Sequence, residues 1–366
     1  MVQPKRSLDI LILDKTVPSL ERNKHRSFNW ILTHNKYVKS DNHRYAYTKD
    51  YYGFFPLKPL RSKKYDTRRI RLTQILELAD SIDMAYYTDT YGVYFNDWYK
   101  GISKARRSRM IYGGLNNNDR LLLKEMKDRK KLIIGEYNIL AYPTAPLDRA
   151  NTEEIFNIKW TEWLGAYFST LDTIQDTQFP KWILQNYRDQ YHKSWDFKNA
   201  GVVFVNYNSR VVVLESGTHL DFDMPYIYTS KYGREKYGLP HRIAFPYWFE
   251  VLEPGNNRVV STFKIHTNTV GDSVLDAHFL PNEFPAVIES TGDAPYYYFA
   301  GDFANNPEHM RTSYFYHVEK LNNMIKPPFL SKRRHFFWHF YYPLMTNILD
   351  QYYYDTMEKK DQTKEK

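Results

Sequence analysis

Two carboxylates follow apolar runs of strand length. Glu136 comes after "KLIIG" in "KLIIGEYNILAYPTAPLDR" (131–149), and Asp89 after "MAYYT" in "MAYYTDTYGVYF" (84–95). An acid at the end of a buried strand can act as a general base, orient a substrate hydroxyl or hold a cation, because burial and nearby charge move its pKa. Two such acids form an acid/base pair for glycosyl or acyl hydrolysis if their separation suits it. The alternative for Glu136 is a scaffold role, capping a helix or pairing with Lys15 or Arg149; for the pair, it is two unrelated loop acids. Asn138, two residues beyond Glu136, is expected on the same side of the strand and able to share its ligand.

Other residues join these by position. Lys15 and Thr16 follow the apolar run "LDILIL" (8–13), and Tyr91 belongs to the loop of Asp89. "KWTEWLGAYF" (159–168) spaces Trp160, Trp163 and Tyr167 at i, i+3 and i+7, one face of a helix. That face is either core or, beside the site, a platform on which a sugar stacks through Trp163 and Tyr167. "YGGLNNND" (112–119) reads as a loop feeding a well-capped helix, its spacing being wrong for a P-loop or a dinucleotide fingerprint. The 12 histidines have no metal-ligand spacing, so neither metal nor cofactor is expected. With no cysteine, disulfides and thiolate catalysis are excluded.

Charge and composition widen the choice of partner. The formal charge of +9 favours an anionic partner: nucleic acid, an acidic polysaccharide or a phospholipid surface. Basic residues gather in "RSKKYDTRRIR" (61–71), "KARRSR" (104–109), "KDRKK" (127–131) and "SKRRH" (331–335), each short enough to be an ordinary solvated face. The 33 tyrosines and 8 tryptophans suit both a core and stacking surfaces for sugars or bases. The N-terminal apolar stretch is too short for a signal peptide or a membrane span, so the chain is expected to be soluble and, by default, cytoplasmic.

The elements that must position these residues alternate. Strands are predicted over 8–13, 84–95 and 131–140, and helices over 24–36, 72–82 and 119–131. The middle helix carries Leu72, Ile75, Leu76, Ala79 and Ile82 on one face, and Asn117 or Asn118 caps the last. Such alternation predicts an α/β fold, a parallel sheet flanked by helices over residues 1–175. A β-rich α+β region is expected over 176–325, and a C-terminal helix with a frayed charged tail over 326–366. A parallel sheet binds ligands outside the carboxyl ends of its strands, which gathers the loops 14–18, 88–94 and 136–144. Residues 151–172 are expected to be helical, with Asn151 as cap and Glu154 three positions on.

The order of "LDILILDKTVP", "IDMAYYTDTYGVY", "IYGGLNNNDRLLLKEMKDRKKLIIGEYNI", "YPTAPLDR", "WTEWLGAYF", "FPYWFEV" and "FPAVIES…YYYFAGDF" resembles an uncharacterised bacterial family. That family is associated with class I glutamine amidotransferase-like, flavodoxin-like folds, and the resemblance spans residues 8–307. In active amidotransferases a cysteine occupies the turn after the strand corresponding to "IIGEYN". Here Gly135, Glu136, Tyr137 and Asn138 stand there, so glutaminase chemistry by that route is excluded. The resemblance implies a non-catalytic or repurposed domain that binds a glycan or other polar ligand at the carboxyl edge of the sheet, in polysaccharide metabolism. A hydrolase or lyase using Glu136 and Asp89 is the alternative, and a binder of acidic polymers or nucleic acid, supported by charge alone, is the third; nucleic acid is the less expected partner. Members of the family often begin with a membrane anchor, so a tethered or extracytoplasmic domain of a longer precursor is the alternative location.

Overall fold

The apolar runs become strands buried on both faces. A computed structural model describes residues 4–99, 108–176, 179–315, 317–319 and 332–364, with backbone alone over 358–364. Its first long strand, β1 (Ile10–Asp14), is buried at every position. There follow β2 (Tyr52–Pro56), β3 (Tyr65–Arg68), β4 (Met84–Asp89) and β5 (Leu132–Glu136). Between them lie α1 (Asn23–His34), α2 (Ile75–Ser81) and α3 (Asn117–Asp128), and α4 (Pro146–Phe156) comes after β5.

The second half supplies β6 (Lys159–Phe168), β7 (Gly201–Asn206), β8 (Val211–Glu215), β9 (Tyr226–Thr229), β10 (Arg242–Ala244), β11 (Trp248–Glu253), β12 (Arg258–Lys264), β13 (Glu283–Glu289) and β14 (Tyr296–Phe299). A helix, α5 (Lys181–Tyr191), precedes β7. Ten strands form one sheet in the order β10-β9-β12-β13-β14-β5-β4-β1-β2-β3, and four form another in the order β8-β7-β6-β11.

This overturns the expected parallel, flavodoxin-like sheet. The ten-stranded sheet is mixed: β14, β5, β4, β1 and β2 run parallel, but every other pair in it is antiparallel, as is the whole four-stranded sheet. Connection length accounts for part of the change, although β12 and β13 pair antiparallel across a longer, helix-containing connection. Parallel neighbours need a crossover of roughly a dozen residues or more, which the chain provides through α1, α2 and α3. The short turns joining β2 to β3 and β13 to β14 allow only hairpins.

Three local readings also change. The span 151–172 splits, because Asn157 in the left-handed region (φ 46°) ends α4. The aromatic, β-prone "KWTEWLGAYF" then extends as β6. Asn116, rather than Asn117 or Asn118, caps α3: its side chain accepts from the N–H groups of Asn118 and Asp119, while Asp119 takes the Asn116 N–H at 3.0 Å. Finally, Leu72 and Leu76 are exposed, and α2 packs through the buried Ile75 and Ala79 with the half-buried Leu78.

The two faces of the parallel block differ. Gly135 lies against Ile139, Phe156 and Tyr298 on the α4 side. Glu136 points the opposite way, toward the C-terminal segment. That segment is helical over Lys332–Phe336, passes through a π turn at Phe337–Tyr341, and continues as a helix from Tyr342 to Lys364. The wide turn stands just before Pro343, which has no N–H to give the helical ladder. No helix among the described residues is long and apolar enough to cross a membrane.

The cap of α3 has a measurable worth. Asn116→Ala is expected to lower stability by about 1 kcal/mol, read as a lower midpoint in denaturant at unchanged slope. An unchanged midpoint would mean that the Asp119 half of the box suffices.

Candidate functional site

A cavity of ≈ 290 Å³ opens where the carboxyl ends of β1, β4 and β5 meet the four-stranded sheet. Strand β4 is buried at all six positions and ends on Asp89, which the apolar run delivers to the cavity. Asp89 Oδ1 accepts from Thr16 Oγ1 at 2.7 Å, the Tyr91 N–H at 2.8 Å and Asn138 Nδ2 at 3.3 Å. Its Oδ2 lies 3.1 Å from Lys24 Nζ, and Lys24 also reaches Asp302 at 2.6 Å.

Burial pushes the Asp89 carboxyl up, against the pull of Lys24, while Asp302 adds to the rise. For Lys24, burial works to lower the pKa, but Asp302 and Asp89 outweigh it and hold the ammonium above its ordinary range. Lys24 is therefore a fixed cation whose charge is already spent on two carboxylates.

Asn138 takes the left-handed conformation (φ 72°) that asparagine tolerates better than most residues. It is pinned there by three bonds. Its N–H donates to Glu250 Oε1 at 2.9 Å, its carbonyl accepts from Thr90 Oγ1 at 3.0 Å, and its amide nitrogen holds Asp89. Its buried Oδ1 has no hydrogen-bond partner among the described residues. Behind it, Glu250 is fully buried and also accepts from Tyr298 OH at 2.6 Å. Burial pushes Glu250 up to about 8, against the lowering effect of these two bonds, with Asp89 raising it further.

Aromatic rings make up most of the remaining wall: Tyr91, Tyr137 and Tyr142 from the strand-end loops, and Trp160, Trp182, Tyr207 and Trp248 from the opposite side. Trp160 Nε1 donates to the Trp163 carbonyl at 3.0 Å, which fixes the indole plane. The Arg149 guanidinium lies 5.4 Å from the Trp160 ring and 5.1 Å from the Tyr207 ring, and bonds Glu162 at 3.0 Å. It braces the wall from outside.

Of the residues singled out in the sequence, Thr16, Asp89, Tyr91 and Asn138 line this cavity and Arg149 supports it. Four others lie elsewhere. Lys15 is buried against Asp119 and the Gly114 carbonyl. Trp163 meets His278 edge-on, and Tyr167 lies beneath Lys332. Glu136 is buried in the core, accepting from Tyr86 OH and from the Ala304 N–H at 2.8 Å. Burial drives its pKa well above the carboxylate range, only partly countered by those two bonds. Glu136 does not line the cavity that Asp89 lines.

Lys24, Asp302, Glu250, Trp182 and Trp248 are absent from the sequence reading. Only the tryptophans carried a signal, as bulky rings in "FPKWIL" and "FPYWFEV". Among the described residues, no group of three or more metal-ligating side chains could hold an ion.

No family model, curated protein or solved structure matches the chain. The functional reading therefore rests on the cavity.

The Glu250 carboxyl ties stability to pH. Its folded pKa of about 8 lies above the ordinary 4.5, so between those values the folded state holds a proton that the unfolded chain has released. Stability should therefore fall as pH rises through this window, by up to about 1.4 kcal/mol per unit from this group. Glu250→Gln is expected to flatten that slope in denaturant titrations at pH 5 to 8; an unchanged slope would assign it to other groups.

Proposed function

We propose that the protein binds a neutral saccharide in this cavity and holds it without cleaving it. The observation that carries this reading is the meeting of seven aromatic rings with a polar cluster whose one cation is matched by two carboxylates. Ring faces cover the C–H surfaces of a sugar, while oriented carboxylate and amide groups receive its hydroxyls. The cavity volume sits near the lower end of the roughly 300–1,000 Å³ usual for small-molecule sites, which suits a mono- or disaccharide unit.

Charge favours a neutral ligand over an acidic one. Lys24 is matched by two carboxylates, so the cluster carries a surplus of negative charge. A uronate or phosphate would find no free cation among the described residues of this wall. Binding without cleavage is favoured because glycoside hydrolysis commonly uses two carboxylates, one on each side of the scissile bond. Asp89 is the only acid among the described residues lining the cavity, and its Oδ1 already accepts from three donors.

The test is titration calorimetry and thermal unfolding with neutral and uronate-containing oligosaccharides. A neutral sugar should bind and raise the melting temperature with its concentration, and the acidic ones should not. Trp182→Ala and Asp89→Asn are each expected to weaken binding at least tenfold, about 1.4 kcal/mol, with the fold retained. Preference for the acidic sugars would refute the reading, and turnover that Asp89→Asn abolishes would replace it with an enzymatic one.

A further inference from the structure

The cavity makes no use of the charge on the β3 edge. Residues 57–72 hold seven cations against one carboxylate, Asp66. Six of the seven are exposed, and Lys63 is partly so. Among the described residues, none of them lies within ion-pair distance of a carboxylate.

The cluster at 127–131 behaves differently. Arg129 pairs with Asp80 and Glu125, Lys130 with Asp293, and Lys131 Nζ donates to the carbonyls of Ala79, Asp80 and Ile82. Those charges hold the scaffold together. Most of the cluster at 104–109 lies outside the described residues.

β3 is the outermost strand of the ten-stranded sheet. Lysines on such an edge discourage strand pairing, but that purpose does not call for apolar side chains beside them. Here they are present. Leu72 and Leu76, four residues apart, are 63% and 60% exposed directly after Arg71. Leu57 is exposed where the β2–β3 turn begins. Lys63 Nζ lies 5.7 Å from the Trp98 ring and the Arg69 guanidinium 5.2 Å from the Tyr112 ring. These contacts set the basic edge beside Trp98 and Tyr112, near which in the chain Phe95, Tyr99 and Met110 are exposed.

The mixture of side chains selects the partner. A nucleic acid or an acidic polysaccharide offers anions, but no apolar phase for aliphatic leucines. An anionic bilayer offers both, since headgroup phosphates attract lysine and arginine and the acyl boundary just beneath accepts leucine and aromatic rings. We infer that the β3 edge docks on an anionic phospholipid surface, with Arg61, Lys64, Arg69 and Arg71 on the headgroups and Leu72 and Leu76 in the headgroup–acyl boundary. This attachment is peripheral and does not depend on what the cavity binds.

Vesicle flotation of the full chain tests it, using phosphatidylcholine vesicles with and without phosphatidylserine. Binding should require phosphatidylserine and fall steeply with salt. Each basic residue near the surface contributes about fivefold, so Arg61→Glu, Lys64→Glu and Arg71→Glu combined should weaken binding on the order of a hundredfold. Leu72→Ser with Leu76→Ser should weaken it several-fold at a salt concentration where the wild type is half bound. All five positions are exposed, so melting curves should stay close to wild type. Equal binding to both vesicles, wild-type binding by the charge-reversed variant, or no effect of the leucine changes would each overturn the inference. Tighter binding to a DNA duplex than to vesicles at equal ionic strength would overturn it in favour of a nucleic-acid surface.

Discussion

A lysine ammonium held between two buried carboxylates fixes the centre of the molecule. Lys24 comes from the first turn of α1, Asp89 from the end of β4, and Asp302 from the bend that follows β14. Burying either carboxylate alone would cost several kcal/mol. Together with one cation they become tolerable, and so the three segments must arrive at the same point. Lys24 and Asp302 are 278 positions apart in the chain, which makes this contact a long-range condition on the fold. It also leaves the cation at the cavity matched by two carboxylates.

Asp89 and Glu136 illustrate how little separates a site residue from a core residue. Each ends a buried parallel strand, and each has its pKa raised first by desolvation. Asp89 is turned toward the loops and is held by donors from three of them. Glu136 falls on the opposite face, because Gly135 occupies the position against Phe156 and Tyr298 and alternation carries the next side chain toward the C-terminal segment. There Tyr86, itself 3.0 Å from Tyr341, donates to it. Position at a strand end is visible in a sequence. The face on which the last residue falls depends on where the strand stops, and that is not.

Much of the N-terminal third is legible because its signals are local: apolar runs for β1, β4 and β5, and spaced apolar residues for α1. The sheet as a whole is not. Its direction changes at hairpins that read simply as loops, and its far half comes from strands after residue 225 that dock beside β5 through β14. The stripe of Trp160, Trp163 and Tyr167 misleads for a definable reason. Its helical spacing also fits a strand that is irregular between Trp160 and Leu164, where Glu162 adopts φ 69° and shifts the register with β11. The periodicity of α2 misleads in the other direction, since two of its five matching positions face solvent. Lys24, Asp302 and Glu250 could not be read at all. Their roles exist only through partners that the fold brings together.

The same long-range logic makes the cavity rigid. Its loop wall belongs to the ten-stranded sheet, and its indoles Trp160 and Trp248 belong to the other sheet. A buried acid joins the two: Glu250 of β11 receives the N–H of Asn138 and the hydroxyl of Tyr298 in β14, while its own N–H donates to the Ala300 carbonyl at 2.7 Å. Separating the walls would strand Glu250 in a low-dielectric interior without its donors, a cost of a few kcal/mol. A ligand entering between them therefore meets rings and acceptors already in place and pays little to order them. Glu250, which does not line the cavity itself, is thus a group that ties the two sheets together behind the cavity wall.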